Sequence, residues 1–403
     1  MDKLCRTLDF HESTLLHRKG ATVFQSLTNG ITGENIHFGN TVNMDSPLDH
    51  EKPLLLSSMP NYLGFQFART SQLSVKSIKT FPGSLINLKA YPNYESYLGS
   101  RFNNKKRAQF RSSKALLGHC FEVVHKVHFG AIDKVEYDKL FDALIEMHLA
   151  RLGQKGTADD TSGMWALYRE SAYRQILDKQ ACISVIYHRT TPIAISLNFI
   201  LGKIVHGFNR SFDMAYSKFG LGNIELLNMV QWCFEQGFEI LDFLKGEYNY
   251  KNKFTDTPYW FTIQLAYWGS GGQKRKGMFL YCGLGAFYAL YNFARSFNLH
   301  RAWHKIKQVR SKAMVKPPQN VIMQILSPDP LGTHEESRLD WEAIQSPALR
   351  RTICDFCHKH KTPLRRIGLY SSLELPNAIE LKRGSQILLI SENKGKEYRQ
   401  SKL

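Results

Sequence analysis

The stretch YSKFGLGNIELLNMVQWCFEQGFEILDFLKGEYNYKNKF, residues 216–254, decides the fold of this chain. Its glycine-rich turn is followed by apolar residues three or four apart over residues 223–236, which predict a helix that stops at Gly237. The apolar run at 238–244 predicts a strand. That strand carries Asp242 and leads into a segment crowded with lysine and tyrosine. A glycine-rich helix start and a polar strand end are therefore joined by one helix.

Strands are predicted on both sides of this stretch. ACISVIYHR, IAISLNFI and IVHGFNR, within residues 181–210, alternate with the short turns TTP and LGK and predict an antiparallel meander. YWFTIQLAYW, residues 259–268, predicts a further strand. The order of meander, glycine-rich turn, helix and strand predicts an α+β fold with a mainly antiparallel sheet flanked by helices.

The rest of the chain divides into three predicted parts. Residues 1–95 contain short apolar runs broken by turn residues and predict a strand-rich N-terminal part. Residues 96–316 predict the main domain. It begins with a basic amphipathic helix over 97–118, a strand and two helices, and it ends in a basic helical tail over 295–316. The dipeptide Pro317-Pro318 marks a boundary, and residues 317–403 predict a small extension with a helix over 337–360 and three strands.

The positive charge of the chain is concentrated in two segments. The formal net charge is +18, yet residues 257–328 contain ten Lys and Arg and no acid, and residues 97–118 contain six and no acid. Basic faces of this kind attract phosphates on a cofactor, a nucleic acid or an anionic membrane. A surface whose charges serve only solubility would carry positive and negative residues side by side.

In residues 1–20 every apolar run is interrupted by charge, so the continuous apolar centre of a secretory signal is missing. This predicts a cytoplasmic protein. The alternative is a protein bound peripherally at the inner face of the membrane. Seven scattered cysteines fit reduced thiols, and Cys120, Cys182 and Cys233 are predicted core residues.

The apolar run 277–294 barely reaches the roughly 18 residues of a spanning segment. We expect a buried or interfacial helix there.

Two groups of residues are candidates for chemistry. In the turn 217–223, Gly220 and Gly222 let the backbone approach a ligand, and the first amides of the next helix are open to an anion. Glycines also occur in such turns for conformational reasons alone. Asp242, at the end of a strand, and Lys251 could act as base and charge stabiliser for an amine that attacks a carbonyl. The alternative is a buried Asp–Lys pair that holds the turn.

Five motifs together resemble the CelD-like and FemAB-like branch of the GNAT acyltransferases over roughly residues 95–265. They are the basic stretch around Arg107 and Arg111, EMHLARLGQKG followed by Trp165, PIAISL, FGLGN and DFLKGEYNYKNKF. The resemblance implies a GNAT-like sheet, with residues 1–95 as a candidate degenerate first half. It also implies acyl-CoA, most simply acetyl-CoA, as donor.

The resemblance assigns candidate residues to the donor and the acceptor. The turn FGLGN would cradle the donor's pyrophosphate, which gives Lys218, Phe219, Gly220, Leu221, Gly222 and Asn223 as candidate donor-binding residues. The acceptor amine would enter beside Asp242, Tyr250 and Lys251, the candidate catalytic residues. The candidate acceptor-binding residues are Arg107, Arg111, Asn209 and Gly246.

Three functions remain open from sequence. The first is an N-acyltransferase acting on an amine-bearing small molecule or a cell-envelope precursor. The second uses aminoacyl-tRNA as donor, which would give the clustered cations a purpose. The third is a non-catalytic protein that binds a membrane or polyanion on a GNAT scaffold.

No metal is predicted. Cys354, Cys357 and His358 have haem-attachment spacing, but haem attachment requires export, and the adjacent residues 357 and 358 diverge too much for zinc. His148 and Trp165 are expected to be structural.

Overall fold

The computed structural model of the chain describes residues 4–19, 24–38, 52–67, 73–155, 162–246, 249–268, 271–297, 321–326, 339–371, 378–383 and 386–392. The helices are α1 Tyr94–Arg101, α2 Asn104–Cys120, α3 Lys134–Lys155, α4 Trp165–Leu177, α5 Leu221–Glu235, α6 Asn249–Phe254, α7 Gly271–Ser296 and α8 Pro347–His360. The strands are β1 Arg6–Asp9, β2 Phe24–Asn29, β3 Asn35–His37, β4 Leu54–Pro60, β5 Leu63–Phe67, β6 Leu73–Asn87, β7 Val123–His128, β8 Ala181–His188, β9 Thr191–Leu201, β10 Ile204–Phe212, β11 Ile240–Lys245, β12 Thr257–Trp268, β13 Val321–Leu326, β14 Gly368–Ser371, β15 Ala378–Arg383 and β16 Gln386–Glu392.

A nine-stranded sheet with the order β1-β4-β12-β6-β11-β10-β9-β8-β7 forms the centre of the fold. Neighbouring strands are antiparallel except in two pairs, β1 with β4 and β10 with β11. The predicted α+β fold with a mainly antiparallel sheet flanked by helices is therefore confirmed. The predicted meander corresponds to β8, β9 and β10, and the helix and strand after it correspond to α5 and β11.

Strands from the first 90 residues are part of this same sheet. β6 lies between β12 and β11, and β4 lies on the other side of β12. A smaller sheet of β3, β2 and β5 packs nearby, and its Phe24 and Leu27 share an apolar cluster with Leu140 and Leu144 of α3. The domain boundary near residue 95 stays a prediction.

The basic helix predicted over residues 97–118 is two helices. It is interrupted at Phe102 and Asn103, where the Asn103 side chain accepts a hydrogen bond from the Lys106 amide and starts α2. The helix predicted over residues 337–360 was too long, since α8 begins only at Pro347, with Ser346 as its N-cap. Most of the basic tail predicted over 295–316 lies outside the described residues. Trp165, Cys120, Cys182 and Cys233 are buried, as predicted.

The C-terminal residues form a four-stranded sheet, β13-β16-β15-β14, together with α8. The apolar side of α8 carries residues at helical spacing, among them Leu349, Ile353 and Phe356. These side chains share one buried cluster with Phe219 and Leu221, which precede and begin α5. The C-terminal part is thus packed against the glycine-rich turn.

Helix α7 packs along β6 and β12. A Cβ at Gly277 would lie 2.5 Å from the ring of Tyr267, so only glycine permits this close approach of the helix to the sheet. Within the described parts of the chain, no helix is both long and apolar enough to cross a membrane.

The packing of α8 on the glycine-rich turn can be tested with Ile353→Ala. Ile353 is fully buried, so the substitution should lower the free energy of unfolding by about 2–5 kcal/mol in urea denaturation. Arg351→Ala, on the exposed side of the same helix, should change it by about 0.5 kcal/mol or less. Equal effects of the two substitutions would contradict this packing.

Candidate functional site

The sheet opens between β10 and β11. These parallel strands pair only over Ile204–His206 and Ile240–Asp242, although β10 continues to Phe212 and β11 to Lys245. On its other side β10 has a bulge between Gly207 and Asn209. Strands that stop pairing while both continue leave a wedge between them, and parallel strands present ligand sites at such carboxyl ends. His206 and Asp242 form the inner end of this wedge.

The glycine-rich turn lies at the end of β10. Residues Met214–Phe219 form a 3₁₀ turn, and Gly220 has a left-handed backbone with φ of 71° before α5 begins. The Gly220 carbonyl accepts from the Asn223 and Ile224 amides at 2.8 and 3.2 Å. The amides of Leu221 and Gly222 precede these bonds, as expected at a helix start. A Cβ at Gly222 would lie 2.8 Å from the ring of Phe212, so this position requires glycine.

Several side chains of this turn face α8. The Lys218 ammonium lies 2.9 Å from the Asp355 carboxylate, and the Phe219 and His358 rings are 4.9 Å apart. Phe219 and Leu221 are buried. These two residues can therefore contact a donor only through their backbone, while Gly220, Gly222 and Asn223 are half-buried.

The carboxylate of Asp242 is completely buried and accepts several hydrogen bonds. The hydroxyl of Tyr62 donates to Oδ2 at 2.8 Å, the hydroxyl of Tyr259 donates to Oδ1 at 2.7 Å, and the Leu244 amide donates to Oδ1 at 2.8 Å. Burial alone would raise the pKa of Asp242. The neighbouring His206 and the hydrogen-bond donors outweigh burial and lower this pKa below its usual value. Asp242 is thus held as a carboxylate.

Lys251 closes the turn between β11 and α6. Its ammonium donates to the carbonyls of Phe243 and Lys245, both at 2.6 Å. Burial lowers the pKa of Lys251 to about 8. Gly246, with φ of 103°, lies in the same turn and donates its amide to Pro82 at 3.3 Å. The contacts of Lys251 are those expected of a residue that holds the turn.

Tyr250 stands at the outer end of the wedge. Its ring centroid lies 5.0 Å from the guanidinium carbon of Arg210 on β10, and about a third of the side chain is exposed. The same Arg210 lies 3.5 Å from the buried carboxylate of Glu225 on α5. Tyr250 and Arg210 therefore connect the two separated strands, with Glu225 behind them.

A buried histidine pair was missed by the sequence analysis. His206 on β10 has Nδ1 3.6 Å from Oδ2 of Asp242, and its ring centroid lies 6.3 Å from that of His11. Burial and the neighbouring His206 lower the pKa of His11 to about 3. Within the described part of the chain, neither ring nitrogen of His206 has a hydrogen-bond partner. The signal in the sequence was a histidine inside the apolar strand pattern IVHGF.

A second polar group adjoins these histidines. The Asp9 carboxylate accepts from the hydroxyls of Ser57 and Ser58 at 2.9 and 2.5 Å. Lys245, at the end of β11, donates to the Ser58 hydroxyl at 2.5 Å. Ser58 has φ of 58°, a backbone conformation that non-glycine residues rarely adopt. Polar groups from β1, β4 and β11 therefore meet beside His11, whose amide donates to the Asp9 carboxylate.

The remaining candidates lie apart from Asp242. Arg107 and Arg111 are on α2, which packs on α1, α5, α8 and the 3₁₀ turn. Arg107 donates to Asn104, and Arg111 is exposed. Asn209 is half-buried on β10 beside the bulge.

The other residues that the sequence analysis considered lie outside the wedge, among apolar side chains. The His148 ring lies 5.2 Å from that of Trp165. Cys354 and Cys357 are buried in the cluster around α8. Among the described residues, no group of three or more His, Cys, Asp or Glu could hold a metal ion.

The wedge and the helix start beside it both lie in the part of the chain that matches a known family model. Residues 104–252 match the family model described as an acetyltransferase (GNAT) domain. The resemblance seen in the sequence is confirmed over that range. No curated protein matches the chain.

Solved structures similar to the chain include FemX, at 8% identity and a TM-score of 0.39 over 54% of this chain and 72% of that one. A GCN5-related N-acetyltransferase from Kribbella flavida matches at 11% identity and a TM-score of 0.26, over 55% of this chain and 69% of that one. A tandem GNAT protein from the clavulanic acid biosynthesis pathway matches at 8% identity and a TM-score of 0.28, over 55% and 66%. With such TM-scores, these matches assign no role to any residue here.

The hydrogen bonds to Asp242 can be tested with Tyr259→Phe. Loss of one donor should lower the free energy of unfolding by about 1–3 kcal/mol at pH 7. Because the folded pKa of Asp242 lies below its usual 3.8, its stabilising contribution is present above about pH 4 and is lost as the pH falls through the folded pKa. The difference between variant and wild type should therefore shrink below about pH 4.

Urea denaturation at pH 7, 5, 4 and 3 measures this change. Tyr281→Phe, on α7, is the matched control and should show no such dependence on pH. A Tyr259→Phe defect that is the same at every pH would exclude the hydrogen bond to the Asp242 carboxylate as its cause.

Proposed function

We propose that this chain transfers an acyl group from acyl-CoA, with acetyl-CoA as the first candidate, to a primary amine. One observation carries the proposal: parallel β10 and β11 separate beyond His206 and Asp242, and the helix after β10 begins at the same end of the sheet. In this proposal the acyl chain lies between the separated strands, and the amides of the helix start hold the diphosphate. Both belong to one GNAT domain.

The donor-binding role rests on the backbone of the turn. The amides of Leu221 and Gly222 and the positive end of the α5 dipole suit an anion. Gly222 lies against Phe212 with no room for a Cβ, so a larger residue here would shift the first turn of α5. The Asn223 side chain and the Lys218 ammonium, the latter shared with Asp355, would complete the set. When bound, acyl-CoA would supply an activated thioester carbonyl.

The proton chemistry is proposed for His206. An amine must lose its proton before it can attack a carbonyl, and His206 is an imidazole at the inner end of the wedge. Asp242, held as a carboxylate by two tyrosine hydroxyls, would orient the His206 ring. Asp242 is thus proposed as a positioning residue and not as the base, since its oxygens already accept hydrogen bonds and its pKa is lowered.

The acceptor side of the wedge is proposed to lie at Tyr250 and Arg210. Lys251 and Gly246 would fix the turn that carries Tyr250. Asn209, on the same strand as Arg210, would contribute an amide. Arg107 and Arg111 would add positive charge beyond α5. This surface suits an amine that also carries a polar or acidic group, in a small molecule or a cell-envelope precursor.

The donor can be tested with Gly222→Ala. The added methyl group would crowd Phe212 and displace the first amides of α5, so the dissociation constant for acetyl-CoA in calorimetry should rise at least tenfold. For wild type, acetyl-CoA at 100 times its dissociation constant should raise the free energy of unfolding by about 2.7 kcal/mol. Gly153→Ala on α3, where a Cβ meets nothing within 4 Å, is the control.

A parallel titration with aminoacyl-tRNA identifies the other donor class. Affinity for tRNA should fall steeply with salt, whereas affinity for acetyl-CoA should change little. The exposed cations of α2 are the observation that keeps this alternative open. Binding of aminoacyl-tRNA alone would replace acetyl-CoA as donor, and unchanged acetyl-CoA binding by Gly222→Ala would refute the turn as its site.

The general base can be tested with His206→Gln. Loss of general-base assistance should reduce kcat by about 10²–10⁴-fold, with the dissociation constant of the donor nearly unchanged. His119→Gln, at an exposed position of α2, should retain wild-type kcat. A His206→Gln protein that is folded, binds the donor and keeps full kcat would remove His206 from the mechanism.

A further inference from the structure

Helix α7 has one face packed on the protein. Leu280 is buried, and Tyr281, Leu284 and Tyr288 pack with it against Ile78 of β6 and Ile263 of β12. These positions recur three or four apart, which defines one side of a helix. With 26 residues, α7 extends for about 39 Å along the sheet at 1.5 Å per residue.

The opposite face of α7 is apolar and exposed. Phe279 is 73% exposed, Leu290 69% and Phe293 63%. Met278 and Phe287 are also exposed, and Phe297 follows the helix. Single exposed apolar residues are ordinary, but a row of large ones along one helix marks an interaction surface.

The charges that α7 itself carries are all positive. Lys274, Arg275 and Lys276 are exposed in the first turns of α7, and residues 277–294 carry no charge. Six further Lys and Arg occur within residues 301–316 of the sequence, and residues 257–328 contain no acid. An apolar face bordered by cations is complementary to an anionic lipid surface.

We propose that α7 docks this chain on an anionic membrane, lying in the plane of the interface. The exposed face inserts its phenylalanine and leucine side chains among the lipids, and Lys274, Arg275 and Lys276 contact the headgroups. The other face remains on β6 and β12.

A second copy of the chain fits this face less well. Across a twofold axis, the basic end of α7 would meet either itself or Arg295 at the other end, and both contacts bring positive charges together. With no acid in residues 257–328, this segment has none of its own to offset that repulsion.

The packed face of α7 reaches the residues around Lys245 through Phe81. The ring of Phe81 lies 5.8 Å from that of Tyr288 and 5.6 Å from that of Tyr291. The Lys245 ammonium, at the end of β11, lies 6.0 Å from the Phe81 ring. One aromatic residue thus separates α7 from the end of the strand that carries Asp242.

The test uses the cysteine at position 282. It is exposed on α7, whereas the other six cysteines are buried, so an environment-sensitive fluorophore can be attached to it without mutation. Vesicles of phosphatidylcholine alone and of phosphatidylcholine with phosphatidylglycerol are then added. We expect a blue shift and increased emission with the anionic vesicles, and co-flotation of the protein with them.

Three variants locate the contact. Phe279→Ser with Leu290→Ser and Phe293→Ser should lower the vesicle partition coefficient at least tenfold. Lys274→Gln with Arg275→Gln and Lys276→Gln should lower it on the order of 100-fold for anionic vesicles. Val135→Ser with Leu149→Ser, two exposed apolar positions on α3, should leave it unchanged.

Two results would overturn the proposal. One is equal partitioning of wild type and both α7 variants. The other is a wild-type dimer in light scattering that the phenylalanine variant converts to a monomer, with no vesicle binding by either. Acetyl-CoA binding by the same variants should match wild type, so failure of membrane docking is distinguishable from failure of the proposed acyltransferase function.

Discussion

The buried carboxylate of Asp242 is the constraint on which the rest of the site depends. It receives hydrogen bonds from Tyr62, Tyr259 and Leu244 and lies beside His206. These residues come from the turn between β4 and β5, from β12, from β11 and from β10. A charge without solvent is tolerated only when it is paired and hydrogen-bonded. The carboxylate therefore holds the β4–β5 turn, strand β12 and the separating strands β10 and β11 together at one point.

The sequence predicted the elements in which local pattern and structure agree. The strand alternation of residues 181–210 and the helical spacing of α5 are local signals, and both elements formed where expected. Gly220 was predicted as a turn residue and does have a positive φ. Asp242 was found because an acid inside an apolar strand is conspicuous.

The contacts of Asp242 could not be predicted in the same way. Tyr62 is 180 residues away in sequence, and its hydroxyl was indistinguishable from that of any core tyrosine until β4 and β12 were paired. Lys251 was predicted to face the acceptor, but its ammonium is used by three carbonyls of the β11 end, an arrangement that depends on the left-handed backbone at Leu244. Long-range pairing and backbone strain leave no periodic signal in a single sequence.

The two basic segments of the chain have different surroundings, and this separates their roles. On α2, Lys114 donates to Asn228 of α5, so this cation borders the helix that would bind the donor. On α7, Lys274–Lys276 adjoin a row of exposed apolar side chains instead. Positive charge beside polar groups favours a discrete phosphate, whereas positive charge beside exposed phenylalanine favours a lipid surface. The different surroundings of the cations on α2 and on α7 are the reason for proposing a different anionic partner for each helix.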